Sequence, residues 1–132
     1  MTTIKIIIEK SADYYDAYAE NCEGVYGAGN TVEEARIDIL RGLELLINSR
    51  DKKDLPTILQ DGYDIEFQYD AQSFLNYYNK IFSKPALERL TGVNQKLLHH
   101  YSSGLKKPRL QQRKKIETAL HHFGKELLSV KL

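Results

Sequence analysis

Several kinds of protein are excluded by what this chain lacks. Cys22 is its only cysteine, so no internal disulfide can form and no cysteine-based zinc cage can be assembled. Its longest apolar runs, Ile6–Ile8 and Leu45–Ile47, fall far short of the roughly 20 residues that a membrane-spanning helix needs. The opening MTTIKIIIEK has neither the apolar core nor the cleavage site of a secretory leader, which points to a cytoplasmic protein. Tryptophan is absent, and the aromatic content is nine tyrosines and four phenylalanines. Residues 1–70 contain no histidine at all, so the many acids there have no imidazole to act with in nucleophilic or acid–base chemistry.

Net charge is nearly absent too, at +1 over 132 residues, but this conceals two opposed halves. Residues 1–70 hold seven Lys/Arg against fifteen Asp/Glu, a net of −8. Residues 71–132 hold twelve against three, a net of +9, along with all four histidines. An acidic half repels phosphate and attracts basic protein, and a basic half does the reverse. Two domains are therefore expected, 1–70 and 71–132, with partners of opposite charge.

In the first half, Thr3–Glu9 is rich in isoleucine and reads as a strand. Tyr14–Ala19 pairs back on it as a hairpin, and Cys22–Ala28 forms a third extended segment. Thr31 and Glu34 make a T-x-x-E capping box. The stripe Ala35, Ile39, Leu43, Leu46 behind it predicts a helix of four to five turns. Tyr63–Tyr69 alternates Ile65, Phe67 and Tyr69 against Asp64, Glu66 and Gln68, a strand with an acidic outer face. The expected class for this half is α+β, βββαβ with one helix on an antiparallel sheet.

From Ala71 the apolar period turns helical, and an all-α domain is expected. Phe74 to Phe82 mark a first helix. Ser83 caps a second that runs to Thr91 and stops at Gly92, and Asn94 caps a third, Gln95–Ser103, before Gly104. A fourth starts at Leu110 and is expected to break at Gly124.

The second and third of these have the spacing of a helix-turn-helix, with Val93 plugging the corner. Asn94, Gln95, Lys96, Leu97 and His100 fall at the start of the third helix, where such helices reach base edges. Gln95 suits an adenine edge, Lys96 a guanine, and His100 a base acceptor or a phosphate. Lys84, Lys106, Lys107 and Arg109 are placed to hold backbone phosphates. The stretch SKPALERLTGVNQKLLHHYSSGLKKPRLQQRKKIETAL resembles the Cro/repressor-type (Xre) helix-turn-helix family over residues 74–123. One departure is Glu88, where that family usually has a small residue; its carboxylate must leave the helix crossing or find a partner such as Arg89, Lys84 or Arg113.

IIIEKSADYYDAY, CEGVYGAGNTVEEA and ILRGLELLI are similar to the HicB family of antitoxins, over residues 3–69. That resemblance implies a truncated ribonuclease-H-like fold without catalysis, joined to a C-terminal helix-turn-helix domain. It implies a HicA-like, mRNA-cleaving toxin as one partner and double-stranded operator DNA as the other, the protein repressing its own operon as a homodimer or tetramer. Exposed acids Asp13, Asp16, Asp64 and Glu66 are the candidate toxin contacts. No cofactor, metal or catalytic residue is expected. The competing reading is a free-standing helix-turn-helix transcriptional regulator whose first half senses a ligand or oligomerises.

Overall fold

A computed structural model describes residues 2–132. Its first part is a four-stranded sheet: β1 (Thr2–Lys10), β2 (Tyr15–Ala19), β3 (Tyr26–Gly29) and β4 (Tyr63–Tyr69), in the order β3-β2-β1-β4. Helix α1 (Val32–Ser49) joins β3 to β4, and two short 3₁₀ turns, Lys52–Asp54 and Thr57–Leu59, lie between α1 and β4.

The period of two along β1 decides which face is the core. Ile4, Ile6 and Ile8 are wholly buried, worth about 2 kcal/mol each relative to exposure. Their register carries Ala17 onto the same face from β2, and Ile65, Phe67 and Tyr69 from β4. Helix α1 answers with Val32, Ala35, Ile39 and Leu43, all buried, and lies chiefly over β3 and β2. Its approach is very close. A Cβ at Gly27 would stand 2.6 Å from the Ile39 backbone nitrogen, and one at Gly29 would stand 2.5 Å from the Glu34 Cβ. Arg36 of α1 reaches over β4, its guanidinium 3.9 Å from the centre of the Phe67 ring and hydrogen-bonded to the Tyr69 hydroxyl. The start of α1 is held by the capping box: the Glu34 N–H donates to Thr31 Oγ1 at 3.1 Å, and the Asn30 N–H donates to Glu34 Oε2 at 2.7 Å.

Four helices follow: α2 (Ala71–Tyr78), α3 (Lys84–Thr91), α4 (Gln95–Ser103) and α5 (Leu110–Leu128). Ser83 caps α3 through the Ala86 N–H, and Pro85 sits in the first turn, where its missing N–H costs nothing. Gly92 ends α3 in the left-handed region at φ 73°, which a β-carbon would strain. Val93 is buried in the turn, with its N–H bonded to the Thr91 hydroxyl. Leu87, Leu98, Tyr101 and Ile116 bury where α3, α4 and α5 meet.

The fold class read from the sequence is corrected in two respects. The sheet is mixed, because β4 runs parallel to β1 while β2 and β3 pair antiparallel. The expected α+β domain followed by a separate all-α helix-turn-helix domain is replaced by a small α+β fold, a four-stranded mixed sheet followed by helices. No separate all-α domain is evident among the described residues, because no linker marks one off. Only Asp70 stands between β4 and α2; its Oδ2 accepts from the Lys10 N–H on β1 at 2.9 Å and its Oδ1 from the Ser73 N–H at 2.7 Å. The boundary between the chain's two compact parts, Met1–Ser73 and Phe74–Leu132, falls inside the unbroken helix α2. Two smaller differences concern element ends. The third strand is only four residues long, because Asn21 and Cys22 lie in the turn before it. Helix α5 runs through Gly124, since one helical glycine costs only about 1 kcal/mol against alanine.

Candidate functional site

Two surfaces gather the residues that could recognise a partner. The first is the face of the sheet opposite α1. Cross-strand register sets Tyr26 beside Tyr18, Tyr18 beside Ile7, and Ile7 beside Gln68, a mostly apolar row across all four strands. Tyr26 is 70% exposed. On one side of this row Glu9 pairs with Asp16; on the other Lys5 pairs with Glu66 and Thr3 with Asp64. Glu9, Asp64 and Glu66 are exposed and Asp16 is half-buried, accepting a short bond from the Ser11 hydroxyl. The Tyr18 hydroxyl donates to Glu9 Oε1 at 3.4 Å. Its pKa is raised, first by desolvation and then by the negative charge of Glu9 and Glu20, so it remains a neutral donor.

Of the acids singled out in the sequence, Asp16, Asp64 and Glu66 share this face. Asp13 lies exposed in the bend between β1 and β2. Sequence reasoning passed over Ile7, Glu9, Tyr18 and Tyr26. Their signal was available in the alternation of β1 and β2: once Ile4, Ile6 and Ile8 point inward, the residues between them must point out.

The second surface is a cleft of about 670 Å³ lined by Leu97 and Tyr101 of α4, Lys106, Lys107 and Arg109 of the loop, and Gln111, Gln112 and Lys115 of α5. Four cations and no acid line it. Arg109 sits at the N-cap of α5 and makes no side-chain cap bond, so the first N–H groups of α5 are left to a ligand or to water. The Lys115 ammonium would stand 3.6 Å from a Cβ at Gly92, next to the carbonyl end of α3, where a cation is favoured.

The nine sequence-derived DNA contacts divide accordingly. Leu97, Lys106, Lys107 and Arg109 come together in the cleft. Lys84, at the start of α3, and Gln95, Lys96 and His100 of α4 lie outside its lining. Gln95 and Lys96 are exposed; Leu97 and His100 are half-buried. Asn94 is committed locally, its Oδ1 accepting from the Lys96 N–H at 2.8 Å. Glu88 finds a partner that the sequence did not suggest: its Oε1 accepts from the Gln95 N–H at 3.0 Å. The carboxylate thus leaves the α3–α4 crossing and caps the next helix. Gln111, Gln112 and Lys115 escaped sequence reasoning, although their place in the first turns of the helix after the basic loop marked them.

A shallow depression near Asn21 and Arg50 has buried Cys22 in its lining, and burial pushes that thiol's pKa up, away from the reactive thiolate. Among the described residues no cluster of His, Cys, Asp or Glu could hold a metal ion, and no helix is long and apolar enough to cross a membrane. No family model matches the chain, nor does any curated protein or solved structure.

Proposed function

We propose that this protein is a HicB-like antitoxin and autorepressor that binds a basic, HicA-like toxin through the open sheet face and operator DNA through α4 and the cationic cleft. The observation that carries this reading is the segregation of opposite charge onto two formed recognition surfaces in one chain. A row of Tyr18, Tyr26 and Ile7 flanked by Glu9, Asp16, Asp64 and Glu66 suits a basic protein: aromatics supply contact area, and acids steer and select. Such a face would take the place of RNA phosphate on a ribonuclease. The cleft suits a phosphate backbone, and the exposed Gln95 and Lys96 beside it suit base edges. Cytoplasmic residence follows from both partners.

The test is growth of a host expressing the neighbouring small reading frame together with the full chain. Rescue is expected from the native chain and from Lys96→Ala/His100→Ala, which loses only operator repression. Tyr18→Ala/Glu66→Lys is expected to lose rescue and keep repression. A harmless neighbour, or toxicity that ignores the chain, would refute the antitoxin half of the proposal.

A further inference from the structure

Strand β4 is an open edge of the sheet. It lies at the end of the order β3-β2-β1-β4, and β1 is the one element that it packs against extensively. In a parallel pair the backbone groups of successive residues point alternately to one neighbour and to the other. The Asp70 N–H donates to the Ile8 carbonyl, which fixes the phase. Asp64, Glu66 and Gln68 therefore bond β1, and Tyr63, Ile65 and Phe67 turn their N–H and C=O groups outward. Among the described residues nothing takes up these groups at Ile65 and Phe67. The opposite edge is better closed: β3 is four residues long, and its Ala28 N–H donates to Asp38 Oδ2 at 2.9 Å.

The side chains of this edge are incompletely covered on one face and charged on the other. Ile65 and Phe67 pair in register with Ile4 and Ile6, which are wholly buried. Both nevertheless stay half-exposed, because α1 lies chiefly over β3 and β2. A further strand beside β4 would extend the cover over them. On the outer face Asp64 and Glu66 are exposed. Lys5 of β1 stands beside Glu66, whereas only Thr3 stands beside Asp64.

These features select the occupant. Unpaired backbone with side chains of period two asks for an extended segment, whose own N–H and C=O groups complete the ladder. Its residues must alternate, apolar beside Ile65 and Phe67 and basic beside Asp64 and Glu66. A second copy of β4 is disfavoured there, since pairing two such edges sets the carboxylates of both copies side by side on one face.

We infer that the β4 edge binds an extended peptide segment of alternating basic and apolar residues by strand addition. The inference goes beyond the antitoxin reading and stands apart from it, since the titration that tests it contains no toxin. The probe is the end-capped peptide Lys-Val-Lys-Val-Lys-Val-Lys, added to the isotope-labelled full chain, with amide hydrogen exchange followed by NMR. In the free protein the Ile65 and Phe67 amides should exchange fast, and those of Glu66 and Gln68 slowly. Saturating peptide should slow exchange at Ile65 and Phe67 at least tenfold. The same peptide with methylated backbone nitrogens, and one with glutamate in place of lysine, should leave both rates unchanged. Asp64→Lys should weaken binding at least fivefold with an unchanged far-ultraviolet circular dichroism spectrum, because its side chain is exposed. Exchange at Ile65 and Phe67 that ignores the peptide, or that slows equally with the methylated or the acidic one, overturns the inference. So does an affinity that Asp64→Lys does not lower.

Discussion

Glu88 shows how much one side chain can change at a helix junction. Packed into the crossing, its carboxylate would be a buried, uncompensated charge. Turned outward onto the Gln95 N–H, it becomes a cap for α4, alongside Asn94 on Lys96. Replacing it with alanine should destabilise the protein by about 1 kcal/mol, as removal of a cap does, whereas Glu88→Gln keeps an acceptor and should cost less. Urea denaturation of the three proteins distinguishes the outcomes; equal midpoints for Ala and native would show that the bond carries no weight. Gly27 is a second single-residue constraint. With a Cβ 2.6 Å from the Ile39 nitrogen, Gly27→Ala must push α1 off the sheet and should cost about 1–3 kcal/mol, read as a lower thermal midpoint.

The elements differ in how far the sequence announces them. Helices α3 and α4 are legible residue for residue, because their boundaries are written in local chemistry: Ser83 and Asn94 at the starts, Gly92 and Gly104 at the ends. Strand β4 is legible through its strict alternation, but its parallel pairing with β1 is not. Register between distant strands depends on where α1 carries the chain, and no local signal encodes that. A separate helical domain is suggested by the change of period and charge at Ala71, yet neither marks a linker, and the structure has none. The cleft is half legible. Its loop cations stand out in sequence, whereas Gln111, Gln112 and Lys115 join them only through the packing of α5 against α3. If the cleft holds backbone phosphates, Lys106→Ala/Lys107→Ala/Arg109→Ala should flatten the slope of log binding constant against log salt by about 0.9 for each phosphate no longer neutralised. Filter binding across a salt series measures this, and an unchanged slope would place the phosphates elsewhere.

At the scale of the whole molecule, the near-zero net charge is a cancellation of −8 and +9 between two stretches of one chain. Because the formal charges almost balance, ionic strength acts on local surfaces and not on the molecule as a single charged body. With a Debye length of about 8 Å at physiological salt, each surface is felt only by a partner already close to it. Neither the acidic face nor the cationic cleft is therefore overridden by a global field of the opposite sign.

The direct passage of β4 into α2 through Asp70, which binds Lys10 on one side and Ser73 on the other, bears on how the protein is cleared from a cell. A protease seeking slack chain between the acidic and basic stretches meets backbone held in a sheet and a helix. Degradation that starts elsewhere and unravels the chain then passes from one stretch into the next. The abundance of the acidic sheet face and that of the cationic cleft then decay together, with one lifetime for both.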